Sequence, residues 1–488
     1  MKEFKSFKIN GVDVSEFKIF AVDNIDEGQA LANDIKEKYL GIELPIESGK
    51  ARPTGDKYII LDRQSYAYHD YSMTVEGGNL VINGSFRSFP KAIELFVAYL
   101  DGSHGDDVNI TSADNASGKI PTVKPLYSTK EELFKIYQYA MDNGYTLYGE
   151  HWGGGWATMG ELKEGIRKCV GDGPAILDID MISFYIEYLS RSEISRVIAE
   201  ALEFAAEGGI VTTFCHWQNP NEETRIIDVK QPDGSVVKRD SIYRGSIGSP
   251  ELWKSVLTEG TEFNTKWKKQ LDCNAEVYQA FKDLGLPVTF RPMLEANSGN
   301  MWWCAIHEGC MLSGDDLRDM WNYVYDYYVN KWNFDHILWS YAPEMRVNPD
   351  YEGTKTTYFY PGDDKCDLVG SDWYIGNWMS RNNYDDSYGY KEISAYGKPT
   401  GLCEWGIMGA QWSNPVTRKD PTTSFSYDFL VDIIREAKRA GYPICFVESY
   451  SGYFGSTTWL LGGHELNEAP EIILLDDMPE FIKKALAK

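Results

Sequence analysis

Acidic side chains close a series of short apolar runs along this chain: Glu150, Asp180, Glu295, Glu344, Asp372, Glu404 and Glu448, with His151 and His216 beside them. Such groups can transfer protons, attack an electrophilic carbon or hold hydroxyls. A Schiff-base mechanism would need a lysine inside such a run, yet Lys365 and Lys398 both precede theirs. No CxxC or HExxH spacing occurs, so zinc is not indicated. Asp178 and Asp180 lie two apart and share one face of an extended run. A pair of that kind can hold a cation, but more often one member bonds backbone and the other a ligand hydroxyl. The expectation is therefore no metal and no cofactor.

Two of these carboxylates can be read as a working pair. Cleaving a glycosidic bond with retention needs two carboxyl groups about 5–5.5 Å apart, one to attack the anomeric carbon and one to pass the proton. The acid must keep its proton near neutral pH, which favours the more desolvated group. Glu295 follows the apolar Met293-Leu294 and is trailed by Trp302-Trp303, so it fits the acid in outline, whereas Glu404 lies between Cys403 and Trp405. The two tryptophans after Glu295 alternate, so one should face the cleft and the other the core.

Something must bring such distant residues together. Eight apolar runs can be counted: Thr146–Trp152, Ala175–Met181, Gly209–Trp217, Val288–Glu295, His336–Pro343, Cys366–Tyr374, Pro399–Gly406 and Ile444–Tyr450. Amphipathic stretches such as Glu193–Ala206, Asn274–Leu284, Leu317–Lys331 and Asp428–Ala440 separate several of them. Eight strands with intervening helices predict an α/β fold, a (β/α)8 TIM barrel, whose catalytic groups gather at the C-terminal ends of the strands. Strand ends four and seven can then face one another across the mouth. The long polar gap Gln218–Trp267 is expected to be a loop insertion over that face.

Ahead of the barrel, residues 1–114 alternate strand-like and helical stretches and turn at Gly77-Gly78, the pattern of a small α+β domain. Residues 115–126 are expected to link it to a barrel spanning 127–488. The net charge of -25, from 73 acidic against 48 basic side chains, argues against nucleic acid or an anionic membrane as partner. A neutral ligand is indifferent to that field, and the 15 Trp and 32 Tyr offer rings on which sugar faces stack. Met1–Asn10 contains no apolar stretch long enough for a signal sequence, which reads as a cytoplasmic protein or a secreted one after leader removal. The cysteines, three of them (Cys215, Cys403, Cys445) inside strand-like runs, are expected to be buried free thiols.

The stretch YSMTVEGGNLVINGSFRSFPKAIELFVAYL resembles the accessory domain that precedes the barrel in several glycosidase families. FRPMLEANSGNMWW, with GGIVTTFCHWQNP upstream and YFYPGDDKCDLVGSDWY and KPTGLCEWG downstream, resembles glycoside hydrolase family 26, a clan A family dominated by β-mannanases. The resemblance implies that Glu295 is the acid/base, Glu404 the nucleophile and Tyr374 a hydrogen-bond partner of the nucleophile. It also implies that His216 and Trp302 line the subsite of the reacting sugar, with Asn219 close by. Trp152 beside a glycine-rich rim (Gly153 to Trp156), Trp405 and Glu448 are further candidates for sugar contact. Two departures stand out: Leu294 replaces the family's histidine before the acid/base, and ICFVESYSG lacks its strand-eight tryptophan, a loss that Tyr450, Tyr453 or Trp459 could offset. The expected partner is a β-linked oligo- or polysaccharide. A β-glucanase or xylanase of the same clan and a carbohydrate-binding pseudoenzyme are the alternatives.

Overall fold

Eight parallel strands close on themselves in the computed structural model of the chain, which describes residues 3–152, 158–185, 189–230, 235–307, 309–345, 351–375, 389–407, 427–450 and 463–487. In order they are Thr146–His151, Ile176–Asp180, Ile210–Phe214, Val288–Arg291, Ile337–Tyr341, Leu368–Ile375, Thr400–Ile407 and Phe446–Ser449. Each pairs with its neighbours in sequence order, and the first pairs with both the second (Gly149 with Ile176) and the eighth (Leu147 with Phe446). A two-residue strand, Ile472–Ile473, pairs beside the start of the first. Strands buried on both faces read as unbroken apolar runs, which is why all eight were legible.

Helices cover the outside of the run of strands: Met159–Val170 after the first strand, Glu262–Asp283 after the third, Gly314–Asp326 after the fourth and Tyr427–Arg439 after the seventh. Several start on side-chain caps. Thr158 with Glu161, and Ser313 with Asp316, form reciprocal capping boxes that satisfy amide donors otherwise left open at a helix start. Small residues permit close strand contact inside the barrel. A Cβ on Gly370 would stand 2.3 Å from the Cys403 sulfur, and one on Gly401 2.4 Å from the Phe446 carbonyl oxygen.

The gap after the third strand holds more structure than a loop. It contains the antiparallel hairpin Ile226–Lys230 and Val236–Asp240, the helix Pro250–Leu257 and the first turns of the helix Glu262–Asp283. That helix begins well before the expected Asn274, capped by Thr261, because its charged first half still buries Asn264, Trp267 and Gln270.

The chain divides into two compact units: Met1–Val123 with Glu187–Leu202, and Lys124–Ile186 with Glu203–Lys488. The first is built on a six-stranded sheet in the order Ile46–Gly49, Lys18–Val22, Tyr58–Ser65, Asn79–Ser85, Asp70–Glu76 and Ala116–Lys119. Its hairpin turns at Gly77 and Gly78, both at positive φ, as a two-residue turn requires. Helices Ile25–Asp34 and Phe89–Leu100 bury Leu31, Phe89 and Phe96 with Ile19, Ile59 and Ile82 of the sheet. Ala116–Lys119, within the stretch expected to be linker, forms an edge strand against Asp70–Met73. The described cysteines are free, and Cys215, Cys403 and Cys445 are buried. Among the described residues no helix is long and apolar enough to cross a membrane.

Candidate active site

The fourth strand ends at Arg291, and the chain then turns so that Glu295 adopts a left-handed backbone conformation, φ +50°. A non-glycine residue held there carries strain of about 1–3 kcal/mol, so its surroundings must hold it. They do: the Glu295 amide donates to the Ala342 carbonyl at 2.8 Å, and its own carbonyl accepts from the Ser298 amide at 2.9 Å and the Cys304 thiol at 3.2 Å. The side chain is buried, and Asn300 Nδ2 donates to Oε2 at 3.0 Å. Leu294 is buried beside it, its carbonyl accepting from the Trp303 indole at 2.9 Å.

Across the barrel, Glu404 on the seventh strand stands in register with Asp372 on the sixth, where the pairing shifts between Ser371 and Asp372. Irregularities of this kind re-aim side chains near strand ends. Tyr374 Oη donates to Glu404 Oε2 at 2.6 Å. One oxygen from each of Glu295, Asp372 and Glu404 lie within 4.8 Å of one another. The expected convergence of strand ends four and seven is thus realised.

Beneath the pair lies the fully buried guanidinium of Arg291. It bonds Asp178, reaches Asp372 at 3.3 Å, Glu448 at 3.6 Å and Glu404 at 3.7 Å, and stacks over the Phe214 ring at 4.8 Å. A single cation cannot balance four buried carboxylates, so some must hold protons. Burial pushes both Asp372 and Glu448 well above the usual carboxylate range. Asp178 stays low: burial opposes its charge, but Arg291, His151 and hydrogen bonds from Glu448 and Thr212 outweigh it.

His216, after the third strand, holds Asp180 at 2.7 Å through Nδ1, and its ring lies 4.6 Å from that of Tyr243 in the insertion. Burial disfavours its charge, but Asp180, Glu404 and Glu295 together raise its pKa. His151 is the opposite case: burial lowers it to about 4, so it stays neutral although Asp178 is 3.3 Å away. Tyr450 packs on His151 at 4.5 Å and lies 6.4 Å from the Tyr374 ring.

Burial also raises the two candidate catalytic carboxyls. Glu404 is pushed up to about 7 by burial and by Glu295, against the pull of Arg291, His216 and the Tyr374 hydroxyl. Glu295 is raised by burial, opposed by the Asn300 hydrogen bond and by His216. At the end of the fifth strand Glu344 is pushed to about 9, by burial first and then by Glu295 and Glu404. This coupled set allows a proton donor to sit beside an ionised nucleophile.

Glu295, Glu404, Tyr374 and His216 therefore gather at one mouth, while the other described candidates are buried among protein partners. Trp302 has no accessible surface; its indole donates to the Trp217 carbonyl at 2.8 Å and its ring packs with Trp253, Trp267 and Trp303. Both tryptophans of the pair are core because the chain coils into turns there instead of alternating as a strand. Asn219 is buried and spends its amide on Thr224, Arg244 and Ser246 while accepting from the Asn221 amide, so it shapes the insertion. Glu448 turns to Arg291 and Asp178 inside the barrel. Trp152 is 3% exposed and Trp405 fully buried. Gly153 to Trp156, Tyr453 and Trp459 lie outside the described residues. Sequence reasoning missed Asn300 as a partner of Glu295 and Arg291 as the hub; an arginine inside an apolar strand run was the available signal for the second.

The model of glycosyl hydrolase family 26 matches residues 125–410. Over 276 residues the chain is 24% identical to a mannan endo-1,4-β-mannosidase of Bacillus subtilis (strain 168), covering 56% of this chain and 65% of that protein. Over 314 residues it is 25% identical to the mannan endo-1,4-β-mannosidase A and B of Caldalkalibacillus mannanilyticus, covering 63% and 54%. The chain thus spans less than two thirds of these relatives' length. The YdhT protein from Bacillus subtilis shares the barrel fold with a TM-score of 0.56 at 20% identity, over 72% of this chain and 96% of that one. A modular endo-β-1,4-mannanase from Cellulomonas fimi superposes with a TM-score of 0.51 at 17% identity, over 73% and 78%.

Proposed function

The chain belongs to glycosyl hydrolase family 26, and from that premise we propose that it is a retaining glycoside hydrolase cleaving β-mannan or a related β-1,4-linked polysaccharide by double displacement. The observation that carries the reading is the approach of a Glu295 oxygen to within 4.8 Å of a Glu404 oxygen. A nearest-oxygen approach of that size suits direct attack, for which the two carboxyl groups stand about 5–5.5 Å apart. The substrate class rests on the mannan endo-1,4-β-mannosidase relatives.

The roles follow from the partners. Glu404 receives the Tyr374 hydroxyl at 2.6 Å and faces Arg291 at 3.7 Å, both of which favour its ionised form and suit it to attack. Buried Glu295, with one neutral amide donor, is better suited to hold a proton. In the first step a Glu404 oxygen bonds to the anomeric carbon as the glycosidic C–O bond breaks, and Glu295 gives its proton to the departing oxygen. In the second, Glu295 takes a proton from water, the water oxygen bonds to the anomeric carbon, and Glu404 leaves as carboxylate.

A panel of β-mannan, glucomannan, mixed-linkage β-glucan and xylan, with released sugars identified and the first-formed anomer read by NMR, tests the proposal. We expect β-configured products from mannan. Glu404→Ala should abolish turnover, and azide should restore it as an α-glycosyl azide. First-formed α product, or unaltered activity in Glu404→Ala, would remove the double displacement.

A further inference from the structure

Glu295 must change protonation state twice in each turnover, yet only one described hydrogen bond reaches its carboxyl, the 3.0 Å contact from Asn300 Nδ2 to Oε2. The residue just before it is apolar, and Leu294 has no group to offer. Asn300 is exposed while Glu295 is buried, so this donor comes from the solvent side of the cleft. The turn presenting it is closely tied. The Asn300 amide donates to Ser298 Oγ at 3.2 Å, the Ser298 amide to the Glu295 carbonyl at 2.9 Å, and the Ile306 amide to the Ser298 carbonyl at 3.0 Å.

Resting on the acid/base reading of Glu295 above, we propose that Asn300 is its positioning residue, directing the transferable proton to Oε1 and stabilising the carboxylate formed once that proton has gone. An N–H aimed at Oε2 occupies the place where a proton on that oxygen would point, so the neutral acid carries its proton on Oε1. The same N–H strengthens when Glu295 becomes anionic, because a hydrogen bond to a charged acceptor is the stronger kind. The bond therefore assists the second step, in which Glu295 is the base.

The other charged groups around Glu295 come from separate elements: Arg291 on its own strand, His216 after the third, Arg244 in the insertion, Glu344 after the fifth, Asp372 on the sixth and Glu404 on the seventh. None of them is removed when Asn300 is changed. Burial raises the Glu295 pKa and the Asn300 bond lowers it, so loss of the bond moves the pKa further up.

The test uses the full chain as wild type, Asn300→Ala and the near-isosteric Asn300→Asp, with two readouts. The first is the pH profile of kcat/KM on β-mannan. The second is the titration of the Glu295 carboxyl by carbon-13 NMR, assigned by its loss in Glu295→Gln, which needs no turnover. Both variants should move the alkaline limb and the NMR titration upward by about one pH unit, a roughly tenfold change in ionisation constant. Asn300→Asp should move them at least as far, because it replaces a donor by a like charge. A purely structural role would lower kcat at every pH and leave the midpoint in place; unmoved midpoints in folded variants overturn the proposal. Failure of the acid/base reading would show separately, as Glu295→Ala retaining full activity on the polysaccharide.

Discussion

The hydroxyl of Tyr374 donates to Glu404 Oε2 at 2.6 Å from the adjacent strand, two residues beyond the Asp372 that pairs in register with Glu404. This places a neutral donor on a carboxylate that burial would otherwise protonate. In Tyr374→Phe the ionised form loses that support, so the Glu404 pKa should rise. The nucleophile works only when ionised, so activity is present above its pKa and lost as pH falls through it. The acidic limb of kcat/KM, which reports this ionisation, should shift upward. kcat/KM at neutral pH should drop about ten- to a hundredfold. An unchanged acidic limb in Tyr374→Phe would remove this role.

Glu344 makes a different prediction, about stability. Its carboxyl is raised to about 9 in the folded protein against an ordinary 4.5, so between those values the folded state holds a proton that the unfolded state has lost. Stability then falls as pH rises through that window. Glu344→Gln cannot titrate, and the fall in Tm between pH 5 and 9 should be smaller by a few degrees than in wild type. Parallel Tm curves for the two proteins would show that Glu344 is not the group responsible.

Arg291 is the cation on which the interior charges depend. Arg291→Met would leave Asp178, the carboxylate it bonds, ionised without its main partner. Breaking a buried ion pair from one side costs about 3–5 kcal/mol. We expect a strong loss of soluble expression or of denaturant midpoint, only partly recovered by Arg291→Lys, whose single ammonium cannot span Asp178, Asp372 and Glu448 as the planar fork does. A methionine variant as stable as wild type would refute the hub.

Leu294→His probes the apolar neighbour of the acid. Introducing a polar donor beside buried Glu295 should favour its ionised form and lower its pKa. The alkaline limb of kcat/KM should then move downward, opposite to the shift expected for Asn300→Ala. A limb that stays in place would show that the residue before Glu295 does not set its protonation.

Much of this was decided by the sequence alone. Strands such as Ile176–Asp180 and Phe446–Ser449 are buried on both faces of a closed barrel, so their positions had to be apolar and the runs announced themselves. Glu295, Glu404, Tyr374 and His216 were legible because the residues around each form recognisable stretches and because strand ends converge in any such barrel. What the tertiary structure alone decided is direction and partnership. Alternation put one of Trp302 and Trp303 in the cleft and the family resemblance chose Trp302, but the left-handed turn at Glu295 and the coil after it carry its indole to the Trp217 carbonyl in the core. Asn219 spends its amide on an insertion whose fold no local pattern specified. Arg291 and Asp178 lie over a hundred positions apart, and their pairing exists only because the closed barrel points both inward where water cannot compete. Local chemistry sets which faces must be buried; which buried group meets which depends on distances that only the closed chain defines.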